Sequence, residues 1–306
     1  MKIVVTSPSF SKNKTLCEEV SALFSEVIIN SDGKRMKGQE LIDYLKDADG
    51  AIIGTEKITE EILQNCPKLQ FIGKYGVGMD NIDTEACQKY NVGIGWTGGV
   101  NRTSVAEMAL SFMIGLCRNL YKTTYQLKNG TWNKHGGFQL TGKTVGIIGV
   151  GFIGKEVARL LQPFNCKILV NDIINQDQYY QEHNLIEASK EEIYCTADVI
   201  TVHTPLTDQT QYLFNSDTFQ KMKSTAFVIN TARGKIIHAK DLQAALENQI
   251  IAGAALDVYE TEPATDLDFL SHPHLICTPH IGGNAEEAVL AMGRSAIFHL
   301  NNYFNS

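Results

Sequence analysis

The sequence predicts an α/β protein with two parallel-sheet lobes. At 306 residues the chain is about twice the length of a typical domain. Short apolar runs alternate with longer polar–apolar stretches, give way once to a mainly helical segment, and then resume. A glycine-rich turn joins an apolar run to a helical run at the head of the second series.

In the first series, residues 2–6, 27–30, 51–54, 71–73 and 92–96 read as strands, and residues 16–23, 38–46, 59–63 and 83–89 read as the helices between them. Parallel strands need crossovers, and helices supply them. Ser104-Val105-Ala106-Glu107 has the form of a capping box. Apolar residues then continue to about Leu127, before Asn129-Gly130, which predicts one long helix bridging the lobes. The second series has strand candidates at 143–148, 167–171, 199–202, 226–230, 252–258 and 275–278, and a helical pattern from 284 to about 304.

Apolar residues at 43% and charged residues at 20% are near the globular average, which excludes a disordered chain. With 27 basic and 34 acidic residues the net charge is −7, which argues against a nucleic-acid or anionic-membrane partner. The seven cysteines are odd in number, no two have CxxC spacing, and reduced thiols in a cytoplasm are the simplest expectation. The apolar run after Lys2 is too short for a signal-peptide core, and the most apolar stretch, 106–117, contains Glu107 and cannot span a bilayer.

Val145-Gly146-Ile147-Ile148 leads into Gly149-Val150-Gly151-Phe152-Ile153-Gly154 and then a helical run, and the next strand candidate is followed by Asp172, 23 residues beyond Gly149. That is the dinucleotide-binding arrangement. Gly149 allows the tight turn, Gly151 lets backbone approach a pyrophosphate at the helix start, and Gly154 lets helix pack on strand. Asp172 would accept from ribose hydroxyls and repel a 2′-phosphate, which favours NAD over NADP. Gly149, Gly154 and Lys155 also fit the start of a P-loop, but Glu156 stands where the magnesium-binding hydroxyl belongs.

Later strand candidates end in polar segments: His203-Thr204-Pro205, Asn230-Thr231-Ala232-Arg233-Gly234, Asp257 with Glu262-Pro263, and Thr278-Pro279-His280-Ile281-Gly282-Gly283. Ligands gather outside the carboxyl ends of strands in open α/β sheets. An Arg for a carboxylate, a His for a hydroxyl proton and a Glu to orient the imidazole would serve hydride transfer on a hydroxy acid. Spacing alone does not show that they meet; each also reads as a surface ion pair, a turn residue or one of eight ordinary histidines. His272-Pro273-His274 reads as a turn rather than a metal pair, with no carboxylate or thiol beside it.

These motifs, with Tyr75-Gly76-Val77-Gly78-Met79-Asp80-Asn81-Ile82-Asp83 and Asn101 before the capping box, resemble the D-isomer-specific 2-hydroxyacid dehydrogenases, and among them the phosphoglycerate dehydrogenase-like branch. The resemblance extends from about 51 to 283. It implies two Rossmann/flavodoxin-like lobes: a discontinuous substrate lobe, 1–100 with 282–306, and an NAD-binding lobe, 101–281. It implies Arg233, Glu262 and His280 as the catalytic trio. It places Gly149, Gly151, Phe152, Ile153, Gly154, Asp172, Thr204, Pro205, Thr231, Ala232, Arg233, Asp257, His280, Gly282 and Gly283 at the cofactor. Lys74, Tyr75, Gly76, Val77, Gly78 and Arg233 fall at the substrate.

Hinge closure over the nicotinamide, a homodimer built around the long helix, a cytoplasmic location and a small 2-hydroxy or 2-keto acid substrate are the further expectations. Phosphoglycerate-using relatives often carry Arg at the position of Lys74, which here would be a point-charge phosphate ligand or a solvated lysine at a cleft rim. Lys57 and Arg102 are other candidate anion ligands. Trp96 and Gly98 replace a common Asn and Pro. Ending at Ser306, the chain leaves no room for an amino-acid-sensing domain on this reading. Alternatives are another 2-keto acid reductase of the glyoxylate, hydroxypyruvate or D-lactate type, an NAD-sensing co-repressor, which usually has longer tails, and an idle dimer module, which would lack Arg233 or His280. Formate dehydrogenase would carry Gln at position 262.

Overall fold

Short runs of β-branched and aliphatic residues buried on both faces suit strands covered by helices on each side. Ile3, Val4 and Val5, and likewise Val199, Ile200 and Val202, are fully buried. The computed structural model describes residues 1–305, and all of its paired strands run parallel. Strands β1 (Lys2–Val5), β2 (Glu26–Ile29), β3 (Gly50–Ile53), β4 (Phe71–Lys74) and β5 (Gly93–Gly95) form one sheet in the order β2-β1-β3-β4-β5. Strands β6 (Thr144–Ile148), β7 (Lys167–Asn171), β8 (Ile186–Glu187), β9 (Val199–Val202), β10 (Phe227–Asn230), β11 (Gly253–Leu256) and β12 (Leu275–Cys277) form a second, ordered β12-β11-β10-β9-β6-β7-β8.

The chain divides into two units, one made of Met1–Asn101 and the segment from Asn284 onward, the other of Arg102–Gly283. In the first unit the two faces of β1 separate two cores. Ile3 and Val5 pack with Leu16, Val20, Met292 and Leu300 of helices Lys14–Leu23 and Glu286–Asn305, while Val4 joins Leu41, Leu45, Ile62 and Leu63 on the opposite face. Gly73 is what lets the final helix in. A Cβ there would lie 2.7 Å from the Ala296 carbonyl oxygen, so the helix backbone approaches β4 only over a glycine. In the second unit, helices Arg102–Cys117 and Phe152–Leu161 cover one sheet face, and helices Lys190–Thr196, Ser216–Lys221 and Ala239–Glu247 cover the other.

The long helix expected from 104 to about 127 is two helices, Arg102–Cys117 and Leu120–Lys128. Asn119 between them has φ +52, and its side-chain amide is bound to the Nδ1 (2.8 Å) and carbonyl (3.1 Å) of His135. Asparagine tolerates the left-handed region where most residues do not. Ser104 is not a cap. It lies in the first turn of its helix and donates its hydroxyl to the Gly282 carbonyl, far along the sequence, at 2.6 Å. Strand β8, two exposed edge residues, has no apolar run to announce it.

Candidate active site

Because every strand of the Arg102–Gly283 unit points the same way, their exits gather along one edge of the sheet. The strand order reverses between β6 and β9, where parallel sheets open a ligand crevice. Gly149 leaves β6 with φ +92, and a Cβ on it would lie 2.6 Å from the His203 carbonyl oxygen at the exit of β9. A Cβ on Gly154 would lie 2.0 Å from the Gly149 carbonyl oxygen, so helix Phe152–Leu161 seats on the turn only through glycine. Gly151, its N-cap, differs: it caps with no side-chain hydrogen bond, and nothing lies within 4 Å of where its Cβ would be. The helix therefore starts with uncapped amides beside open space, an arrangement that receives an anionic group.

The rest of the crevice fits a dinucleotide. Asp172, beyond β7, anchors the glycine turn by accepting from the Val150 amide at 2.6 Å, and it accepts from the Ile174 amide at 2.9 Å. Phe152, Ile173 and Ile174 present exposed apolar surface, at 58%, 85% and 65% exposure. Thr204 and Thr231 each hold a buried hydroxyl with no partner; the exposed Pro205 follows the one and the buried Ala232 the other, and Ile153 in the first turn of the helix is half-buried. Buried orphan hydroxyls are uncommon in folded proteins and accord with a site shaped for a ligand. His203 is structural: its Nε2 pairs with Thr201 Oγ1 at 2.9 Å, and burial pushes its pKa down to about 3, leaving it neutral.

At the exits of β10, β11 and β12 the second half of the site is built by close approach. The Asn230 side chain, fully buried, accepts from the Ala232 amide at 3.0 Å and donates to the Arg233 carbonyl at 2.8 Å, folding the turn that carries Arg233. A Cβ on Gly234 would lie 1.9 Å from the Tyr259 carbonyl carbon, so this turn meets the segment after β11 backbone to backbone. That segment carries Glu262, whose Oε1 accepts from the Tyr259 amide at 3.1 Å. The Tyr259 hydroxyl, kept protonated by burial, donates to the Thr278 carbonyl at 2.9 Å and so links the Glu262 segment to the His280 loop.

His280 and Glu262 meet there, Nδ1 to Oε2 at 2.7 Å. Arg233 is near enough for its charge to act on both. The three groups, separated by up to 47 residues in sequence, thus converge within one unit. The hydrogen bond to Glu262 holds the His280 imidazole above its ordinary pKa, against burial and the Arg233 charge. Burial would raise the Glu262 carboxyl, but the His280 bond, the Tyr259 amide and the positive charges of His280 and Arg233 together hold it below its usual range. With Nδ1 on the carboxylate, proton exchange with a substrate falls to the other ring nitrogen, Nε2. The site therefore combines a carboxylate-oriented imidazole with a planar cation.

Several of the expected site residues also hold the fold of the site. Asp257 is 1% exposed, and its carboxylate accepts from the Thr278 hydroxyl (2.6 Å), the Ile281 amide (2.8 Å) and the Gly282 amide (2.7 Å). These bonds tie Asp257 to the loop that carries His280. Gly282 is buried with its amide on Asp257 and its carbonyl on Ser104, so it shapes the same loop; Gly283 follows it, half-buried.

In the first unit, Tyr75, assigned to the substrate by resemblance, packs into the core. Its amide donates to Ile53 in the sheet, its ring packs on Phe10, and its hydroxyl pairs with Ser9. Lys74 is not a solvated rim lysine: it is 4% exposed, with Nζ donating to the Gly54 carbonyl. Gly76, Val77 and Gly78 are half-buried, and Trp96 donates its indole N–H to the Val77 carbonyl at 2.8 Å. Tyr259 and Glu56 carried no motif signal in the sequence. A polar residue just past an apolar strand was the one cue for each.

A family model described as D-isomer specific 2-hydroxyacid dehydrogenase, NAD binding domain, matches residues 110–282. The D-3-phosphoglycerate dehydrogenase of Rattus norvegicus is 37% identical over 258 residues, covering 83% of this chain and 48% of that protein. The glyoxylate reductase of Pyrococcus furiosus is 32% identical over 277 residues, covering 87% of this chain and 82% of that protein. A solved structure of NAD-dependent formate dehydrogenase from Staphylococcus aureus in complex with NAD is 31% identical and superposes with a TM-score of 0.86 over 100% of this chain and 96% of that one. The chain spans about half the length of the curated phosphoglycerate dehydrogenases it matches.

Proposed function

Since the chain belongs to the D-isomer specific 2-hydroxyacid dehydrogenase family, we propose that it interconverts a D-2-hydroxy acid and the corresponding 2-keto acid with NAD. The observation that carries this reading is the Glu262–His280 pair with Arg233 beside it at the edge of the family's NAD-binding domain.

Bound NAD supplies the hydride acceptor in oxidation and, when reduced, the donor in the reverse direction. Gly149, Gly151, Phe152, Ile153 and Gly154 would hold its diphosphate at the helix amides, Asp172 its ribose hydroxyls, Thr204 and Pro205 its adenosine half, and Thr231 and Ala232 its nicotinamide half. The Arg233 guanidinium clamps the substrate carboxylate and draws electron density from the C2 oxygen. His280 Nε2 takes the C2 hydroxyl proton in oxidation and returns it in reduction, with the charge that forms on the ring stabilised by Glu262. The amides of residues 76–78 also take the substrate carboxylate.

His280→Ala is expected to abolish keto-acid-dependent NADH oxidation while NADH binding, followed by fluorescence, persists. Turnover at the wild-type rate would overturn the assignment.

Two substrate readings divide the family on this site. The 37% identity to a phosphoglycerate dehydrogenase supports D-3-phosphoglycerate, with Lys74 on its phosphate. The match over most of a glyoxylate reductase, together with the buried Lys74 ammonium engaged by the Gly54 carbonyl, supports a short unphosphorylated keto acid, and we favour the latter. A homodimer is supported by the exposed apolar side chains of Leu120, Tyr125, Leu127 and Trp132, clustered in one stretch of sequence. Light scattering is expected to give the mass of two 33.9-kDa chains, and a monomer at micromolar concentration would refute it. A cytoplasmic location accords with seven free thiols.

A further inference from the structure

The carboxyl edge of the first sheet carries a polar cluster that the chemistry above does not use. Gly54 follows β3, beside β1, where the order β2-β1-β3-β4-β5 reverses and parallel sheets take their ligands. The Gly54 amide donates to Glu56 Oε2 at 2.8 Å. Its carbonyl accepts from Lys74 Nζ and from Asn81 Nδ2, the latter at 3.2 Å. A Cβ on Gly54 would lie 2.7 Å from Ser7 Oγ, so the cluster is tightly closed on that side. Glu56 and Lys74 are each only 4% exposed, and Glu56 Oε1 is buried with no hydrogen-bond partner. A buried acceptor left unmatched is unfavourable until a donor reaches it. The cluster also adjoins the 76–78 turn, since Lys74 Nζ lies 3.5 Å from where a Cβ on Gly76 would stand.

We propose that Glu56 is a specificity-determining residue whose Oε1 accepts a hydrogen bond from a hydroxyl on C3 of a short, unphosphorylated 2-keto acid. This rests on the dehydrogenase reading, in which the 76–78 turn receives the substrate carboxylate. A C3 phosphate would set negative oxygens against a carboxylate. A C3 methyl would leave Oε1 unmatched. A C3 hydroxyl supplies the missing donor. The Lys74 ammonium, held on the carbonyl of the same residue whose amide binds Glu56, is already engaged in the buried cluster and is a poor lone anchor for phosphate.

The test is NADH oxidation by the full chain with hydroxypyruvate, pyruvate and 3-phosphohydroxypyruvate. Wild-type kcat/KM for hydroxypyruvate is expected to exceed each of the others by about tenfold or more, because a site built to bond a hydroxyl discriminates against analogues without it. Glu56→Gln, which removes the negative charge, is expected to raise the phosphorylated substrate about tenfold relative to hydroxypyruvate. Glu56→Met, which removes both oxygens, is expected to lower the hydroxypyruvate-to-pyruvate ratio by about tenfold. The wild-type ratios can overturn the assignment even where a variant fails to fold.

Equal or better use of the phosphorylated acid by wild type, or ratios that neither folded variant moves, overturns the Glu56 assignment and leaves the dehydrogenase reading intact. Failure of wild type to oxidise NADH with any of the three also overturns it. Adding glyoxylate and branched keto acids to that assay then shows whether the dehydrogenase reading has failed as well.

Discussion

His280 has a left-handed backbone, φ +55, and its loop is tied to β11 by the three hydrogen bonds that Asp257 accepts. Asp257 fixes where the imidazole stands, and Glu262 fixes its proton affinity. The consequence for pH follows from the sign of the shift. On the proposed reading, reduction of a keto acid needs the imidazolium, so kcat/KM is expected to fall as pH rises through the His280 pKa. Glu262 raises that pKa by stabilising the charged ring, which on the same reading would keep reduction running to higher pH. Glu262→Gln removes the stabilising charge. The falling limb of the reductive profile is expected to move to lower pH by about one unit or more. An unmoved limb would show that Glu262 serves only to orient the ring.

At the scale of the element, the glycine turn separates two uses of the same residue. Gly154 is needed because backbone occupies the place of its Cβ, at 2.0 Å from the Gly149 oxygen. Gly151 has an ordinary extended conformation, φ −79, and open space. Gly154→Ala is therefore expected to displace helix Phe152–Leu161 and to lower stability by about 2 kcal/mol or more. Gly151→Ala is expected to leave stability within about 1 kcal/mol but to weaken NADH binding by an order of magnitude, because its methyl enters the space beside the free amides. Denaturant melts and NADH titrations on both variants check this. Equal losses of stability in the two would contradict it. The seating of Gly234 against Tyr259 is the same device at the other end of the site, where it brings the Arg233 turn to the Glu262 segment.

At the scale of the molecule, each unit buries its own sheet between helices, and the site chemistry lies at carboxyl edges. A ligand that binds only the folded chain stabilises it by mass action. NADH at a hundredfold excess over its Kd is expected to add about 2.7 kcal/mol, read by calorimetry as a rise of several degrees in Tm. A melt indifferent to NADH would remove the cofactor from the reading. Among the described residues, no helix is long and apolar enough to cross a membrane.

The alternation of apolar runs and helical stretches was enough to predict two parallel sheets and to place eleven of the strands, because pleat and helix periods are local properties of a chain. The glycine turn was legible for the same reason: strand, turn, helix and Asp172 lie within one short stretch. Local pattern misled where distant partners intervened. Ser104 looks like a cap until Gly282 takes its hydroxyl, and the helix ending at Cys117 looks continuous until His135 holds Asn119. Family resemblance could name Arg233, Glu262 and His280 as a set, but spacing could not bring them together. Their meeting depends on β10, β11 and β12 ending at one edge and on Gly234 passing hard against Tyr259. Tyr259 and Glu56 acquire their roles only from what surrounds them: one bridges two loops, and the other is a buried carboxylate with an unmatched oxygen. Periodicity and motif are written along the chain, whereas burial and convergence arise only when remote segments pack and exclude water.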